Sequence, residues 1–92
     1  MDCAVEFDPS KSAANFRKHR IAFSDAEAVL YDPRGITIDD ESEVEFRWVT
    51  VGLDSLGRVL VVSYTIRNDI PRMISARRAS PSEVRQYYDQ TI

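Results

Sequence analysis

Cysteine and histidine are nearly absent from this chain, and each scarcity excludes something. A lone cysteine, Cys3, forms no internal disulfide. His19 is the only histidine, so no second histidine or cysteine exists to complete a zinc site. The acidic run Asp39-Asp40-Glu41-Ser42-Glu43-Val44-Glu45 lacks the alternating carboxylates and central glycine of an EF-hand loop and reads as an exposed loop. A carboxylate there is kept open as a general base. No metal and no cofactor is expected. There is no apolar run of signal-peptide or membrane-spanning type, and neither Asn15 nor Asn68 heads an N-glycosylation acceptor. A cytoplasmic chain without membrane attachment is expected. No internal repeat or low-complexity tract interrupts it.

What is present suits one compact domain over residues 1–92, since 43% of the residues are hydrophobic and 29% charged. A domain of this size buries only about 60 to 65% of the surface of its unfolded chain, so a partner or a second copy can add stability. The net charge of -3 disguises an asymmetry. Met1–Glu45 holds 5 basic and 11 acidic residues, whereas Phe46–Ile92 holds 7 basic and 4 acidic. Exposed charges more than about 8 Å apart are screened at physiological salt, so a local positive face is compatible with an acidic total.

Asp8-Pro9 ahead of Ala13, Ala14 and Phe16 predicts an N-cap, a proline in the first turn and a helix to about His19. Ser24-Asp25-Ala26-Glu27 has capping-box spacing and predicts a second helix from a Ser24 cap to about Tyr31, where Asp32-Pro33 stops it. Ile36-Thr37-Ile38, Phe46 to Leu53, Val59 to Ile66 and Met73 to Ala76 are rich in β-branched and aromatic residues and predict antiparallel strands. Ser80-Pro81-Ser82-Glu83 repeats the cap, proline and glutamate pattern and predicts a terminal helix to about Gln90. The fold class is α+β: two N-terminal helices, a three- to four-stranded antiparallel sheet and a C-terminal helix.

If Leu53 faces Arg58 across an Asp54–Gly57 turn, Val51 faces Leu60, Val49 faces Val62 and Arg47 faces Tyr64. That register sets Phe46, Trp48, Val59 and Val61 on one face and Val49, Val51, Leu60 and Val62 on the other. Arg67 then points away from Arg47 unless a bulge intervenes or Arg67 leaves the strand, and the following Asn68-Asp69 favours departure. Both faces are apolar, so one layer of helices leaves one of them for a partner. Trp48, Tyr64 and Phe46 could stack on bases, but core packing accounts for them more simply.

The basic residues carry the chemistry. Arg72-Met73-Ile74-Ser75-Ala76-Arg77-Arg78 delivers three arginines, which stay charged and suit phosphate or carboxylate. Strand alternation sends Arg77 and Arg78 to opposite faces, with Arg77 sharing parity with Ser75 and Met73. Histidine titrates near neutrality and serves proton transfer, and Arg17-Lys18-His19-Arg20 sets it among cations. The same residues also suit the end of a helix, where positive side chains complement its dipole.

Phe7-Asp8-Pro9-Ser10-Lys11, Asn15, Lys18-His19, Phe23, Glu27-Ala28, Asp32-Pro33, the strand from Arg47 to Gly52, Gly57-Arg58 and Ile74-Ser75-Ala76-Arg77, in this order across nearly the whole chain, resemble the BrnT family. These are small RelE-like bacterial ribonuclease toxins of type II toxin–antitoxin systems. The resemblance implies metal-independent RNA cleavage that inhibits translation, and neutralisation by a cognate BrnA-type antitoxin. That antitoxin also binds the operator, so contact with DNA is indirect. The chain departs from the family at Arg20, where glycine is usual, and at Asn68-Asp69-Ile70-Pro71. On this reading Lys18, His19, Arg67 and Arg77 are catalytic, the resemblance favouring Arg77 over Arg78, while Arg47 and Arg78 bind RNA phosphate. A homodimer, or a heterotetramer with the antitoxin, fits the same picture. The competing reading is a BrnT-like binding module that has lost cleavage.

Overall fold

Asp8 starts the first helix as its place before Pro9 predicts, its Oδ1 accepting the Ser10 N–H at 2.9 Å. In the computed structural model, which describes residues 5–40 and 47–90, this helix is α1, Pro9–His19. Arg20 closes it in the left-handed conformation (φ 60°), its N–H donating to the Phe16 carbonyl, and its guanidinium lies 5.8 Å from the Phe16 ring centroid.

The second helix begins two residues earlier than its sequence signal. α2 is Phe23–Ala26 with Ala22 as cap, and it tightens into a 3₁₀ turn over Glu27–Tyr31. Ser24 is therefore inside the helix, and no side chain caps it. Burial decides the start: Ile21 and Phe23 are fully buried, and the Ala22 carbonyl takes the N–H groups of Asp25 and Ala26. Each such side chain is worth about 1.5–3 kcal/mol, more than a serine cap.

The strands β1 (Ile36–Asp40), β2 (Arg47–Leu53), β3 (Val59–Arg67) and β4 (Ile70–Arg78) form one antiparallel sheet in the order β1-β2-β3-β4. α3 (Pro81–Tyr88) is the last element, with Asp89 at its C-terminal cap. The α+β class expected from the sequence is the fold observed: three helices with a four-stranded antiparallel sheet. Asp39 and Asp40 belong to β1 rather than to a loop. Phe46 and the rest of the acidic run, 41–45, lie outside the described residues.

The expected β2–β3 register is wrong by one residue. Leu53 faces Val59, Val51 faces Val61, Val49 faces Ser63 and Trp48 faces Tyr64. Asp54 and Arg58 remain paired beyond the strands, the Asp54 N–H donating to the Arg58 carbonyl at 2.9 Å, so the loop holds only Ser55 to Gly57. Gly57 supplies the positive φ (80°) that such a loop requires. The nearly buried Asp54 carboxylate accepts from the N–H groups of Leu56 and Arg58 and from Arg58 Nε. Burial alone would raise its pKa, but Arg58 and these N–H groups hold it below the usual carboxylate range.

Faces follow from this register. Trp48, Leu60, Val62, Tyr64, Met73 and Ala76 pack with Ile21, Phe23, Ala26 and Val29 into the core. Tyr64 and Trp48 are thus structural, the Tyr64 hydroxyl lying 2.9 Å from Thr50 Oγ1. Gly52 lets the 3₁₀ turn approach, since a Cβ there would stand 3.0 Å from Asp32 Oδ2. Asp32 in turn accepts from the Leu53 N–H at 2.8 Å and from the Tyr87 hydroxyl, fastening α3 to the sheet end. Val49, Val51, Val61 and Ser63 occupy the opposite, outer face.

Candidate active site

β4 is an edge strand, and its open side is covered by side chain and backbone rather than by a fifth strand. Glu6 pairs with it at one end, its N–H donating to Pro71 O and its carbonyl accepting from Met73 N, both at 2.9 Å. Further along, Asn15 of α1 does the same work with its amide. Oδ1 accepts the Ala76 N–H at 3.0 Å, and Nδ2 donates to the carbonyls of Ala76 and Ile21 at 2.9 Å each. The helix is held beside the edge, and its basic residues are presented along that seam.

Lys11 and Lys18 are two turns apart on α1, and His19 follows in the last turn. Lys11, Ala14, Asn15, Lys18 and His19 line a shallow depression of about 230 Å³ with Ile74 and Ser75 of β4. The structure thus brings Lys18 and His19 together. A second depression of about 140 Å³ adjoins it, lined by Arg47, Thr65, Arg67 and Arg72 with Asp8 and Lys11. Lys11 and Ile74 belong to both, so the two form one groove.

Two features put the arginines there. Arg67 does not leave its strand: it pairs with Ile70 across a two-residue turn in which Asn68 (φ 52°) and Asp69 (φ 65°) are both left-handed. With the corrected register Arg67, Thr65 and Arg47 share parity on the outer face. The third arginine comes from a bulge. Ser63 faces Ser75 but Tyr64 faces Met73, leaving Ile74 as the extra residue. The bulge reverses parity, so Met73 turns into the core while Arg72, opposite Thr65, joins the outer face.

Arg77 lies elsewhere on that face, opposite Val61. Its Nη1 and Nη2 donate to Glu83 Oε1 and Oε2, each at 3.0 Å, and Nη1 also reaches the Arg78 carbonyl at 3.1 Å. Glu83 is the capping-box glutamate of α3, also accepting the Ser80 N–H at 2.7 Å. The Arg77 guanidinium, followed by the Ser80 N–H, lowers the Glu83 pKa to about 2. Arg78, opposite Leu60, has the other parity and lines none of these depressions. The sequence reading separated Arg77 from Arg78 correctly, but grouped Arg77 with Met73 because the bulge is invisible to simple alternation.

Sequence reasoning missed Lys11 and Arg72 as groove residues. Their signals exist: Lys11 precedes Lys18 by seven residues on one helix, and Arg72 stands in the arginine segment. Arg72 is partly exposed, with Nη1 3.4 Å from Glu6 Oε1. Asp8 is the one carboxylate lining either depression, and Ser10 holds it through its hydroxyl at 2.8 Å and its N–H. Those hydrogen bonds lower its pKa and mark it as a cap. The result is a cationic trough with one histidine, suited to a phosphodiester backbone. Among the described residues no group of three His, Cys, Asp or Glu side chains could hold a metal ion, and no helix is long and apolar enough to cross a membrane.

The family described as the ribonuclease toxin BrnT of type II toxin–antitoxin systems matches residues 7–83. The crystal structure of the Brucella abortus ribonuclease toxin BrnT superimposes with a TM-score of 0.64 at 22% identity, over 83% of this chain and 95% of that one. No curated protein matches the sequence.

Proposed function

The chain belongs to the BrnT family of ribonuclease toxins of type II toxin–antitoxin systems, and from that premise we propose that it binds and cuts RNA in the cationic groove between α1 and the β3–β4 end of the sheet. Membership carries an RNA substrate and an antitoxin partner. The observation behind the placement is the convergence of Lys11, Lys18, His19, Arg47, Arg67 and Arg72 on one groove.

Cleavage proceeds by attack of a ribose 2'-hydroxyl on the adjacent phosphorus. A base takes the 2'-proton, the P–O5' bond breaks, and an acid protonates the departing 5'-oxygen, leaving a 2',3'-cyclic phosphate and a 5'-hydroxyl. His19 is one of the proton-transfer groups and Lys18 stands beside it. Arg67 and Arg47, with Lys11 and Arg72, hold the phosphates and stabilise charge developing on the equatorial oxygens. These cations do without metal what a divalent ion does in other nucleases. Arg77, paired with Glu83, assists from its place elsewhere on the outer face, and Arg78 touches only RNA that wraps round the sheet end.

The wider assignment places the chain in the cytoplasm, where it inhibits translation and is neutralised by a BrnA-type antitoxin in a heterotetramer. The test is purified protein with RNA in EDTA. Cleavage should persist in EDTA and fall at least a hundredfold for His19→Ala. Unchanged cleavage by His19→Ala and Lys18→Ala would refute the site.

A further inference from the structure

The groove between α1 and β4 is rich in cations, and cations recognise phosphate, which RNA and DNA share. Its lysines and arginines donate hydrogen bonds and accept none. Cleavage through the ribose 2'-hydroxyl calls for a group that meets that hydroxyl, the feature by which a protein tells RNA from DNA. Beside Lys18 and His19 two neutral polar side chains line the depression, Asn15 and Ser75. Asn15 is fully engaged, its Oδ1 accepting the Ala76 N–H and its Nδ2 donating to the Ile21 and Ala76 carbonyls. Ser75 is half-buried, and its Oγ makes no hydrogen bond among the described residues. Its backbone is nonetheless held in place. Ser75 follows the bulged Ile74 and pairs with Ser63, and Asn15 clamps the next residue, Ala76, by both N–H and carbonyl. A bulge re-aims the side chains beside it, and the clamp ties Ser75 to the helix that carries Lys18 and His19.

We propose that Ser75 is the residue of this groove that reads ribose. Its Oγ–H donates to the 2'-oxygen of the nucleotide whose 3'-phosphate is cut, and so turns the nucleophile toward phosphorus. The 2'-proton passes to the base and the serine keeps its own, so no charge develops on Oγ. This contact is neutral and belongs to ribose alone, whereas the contacts of the lysines and arginines serve either nucleic acid. The inference rests on the RNA groove proposed above.

The test measures cleavage of one RNA oligonucleotide, and inhibition of that cleavage by the DNA oligonucleotide of the same sequence. Ser75→Ala should lower kcat/KM on RNA about tenfold or more and leave the inhibition constant of the DNA within about twofold of wild type. Unchanged DNA inhibition also shows that the groove is intact. Ser63→Ala removes the hydroxyl that faces Ser75 across the sheet but lines neither depression, and it should cleave as wild type does. RNA cleavage by Ser75→Ala within about twofold of wild type would overturn the inference. So would DNA inhibition weakened as much as RNA cleavage, or an equal loss in Ser63→Ala. Failure of the groove assignment looks different: Lys18→Ala and His19→Ala would both cleave normally, which removes the groove and the ribose contact together. Loss in those two variants with normal cleavage by Ser75→Ala removes the ribose contact alone.

Discussion

Asn15 grips both polar groups of one edge residue, its Oδ1 taking the Ala76 N–H at 3.0 Å and its Nδ2 reaching the Ala76 carbonyl at 2.9 Å. Its side chain stands where a fifth strand would, and it sets the distance between Lys18-His19 and the sheet. Asn15→Ala leaves the Ala76 N–H and two carbonyls without this partner in a nearly dry seam. A loss of about 2–4 kcal/mol is expected in urea denaturation, and a loss under about 1 kcal/mol would show that water replaces the amide.

Arg20 occupies a left-handed position that costs a non-glycine residue about 1 kcal/mol, and its contact with the Phe16 ring returns about 0.5 kcal/mol. Arg20→Gly should therefore stabilise the fold by about 0.5 kcal/mol. A lower denaturant midpoint for the glycine variant would mean that the cation–ring contact outweighs the backbone strain.

The Arg77–Glu83 pair makes stability sensitive to acid. Glu83 sits at about 2 in the folded chain against an ordinary 4.5, a depressed carboxylate. Its contribution is complete above about pH 4.5 and is lost as pH falls from there through 2. With Arg77 45% and Glu83 28% exposed, solvent screening limits that contribution to about 1 kcal/mol. Melting curves from pH 6 to pH 2.5 should converge for wild type and Glu83→Gln as pH falls. A constant gap between them would disprove the linkage.

Local signals made the α+β class legible. Asp8-Pro9 and Ser80-Pro81 carry their own caps, and β-branched runs marked the strands. Three features were not legible because they depend on more than one element. The Asp54–Arg58 pair shortened a loop by one residue and moved every facing pair in β2–β3. The Ile74 bulge reversed the parity of β4, which hid Arg72. Burial of Phe23 overrode the Ser24 capping signal. Lys18 and His19 were nameable from sequence, whereas their junction with Arg47 and Arg67 required the register.

The central claim is that RNA is cut where α1 meets the β3–β4 end, and it is tested most directly by comparing kcat/KM for Lys18→Ala and Arg78→Ala on one RNA substrate. Both residues are exposed cations of the same net charge, but only Lys18 lines the groove. The account predicts a loss of about a hundredfold or more for Lys18→Ala and a change within about threefold for Arg78→Ala. Equal losses would reduce the groove to general charge, and a larger loss for Arg78→Ala would move the active site to the other end of β4.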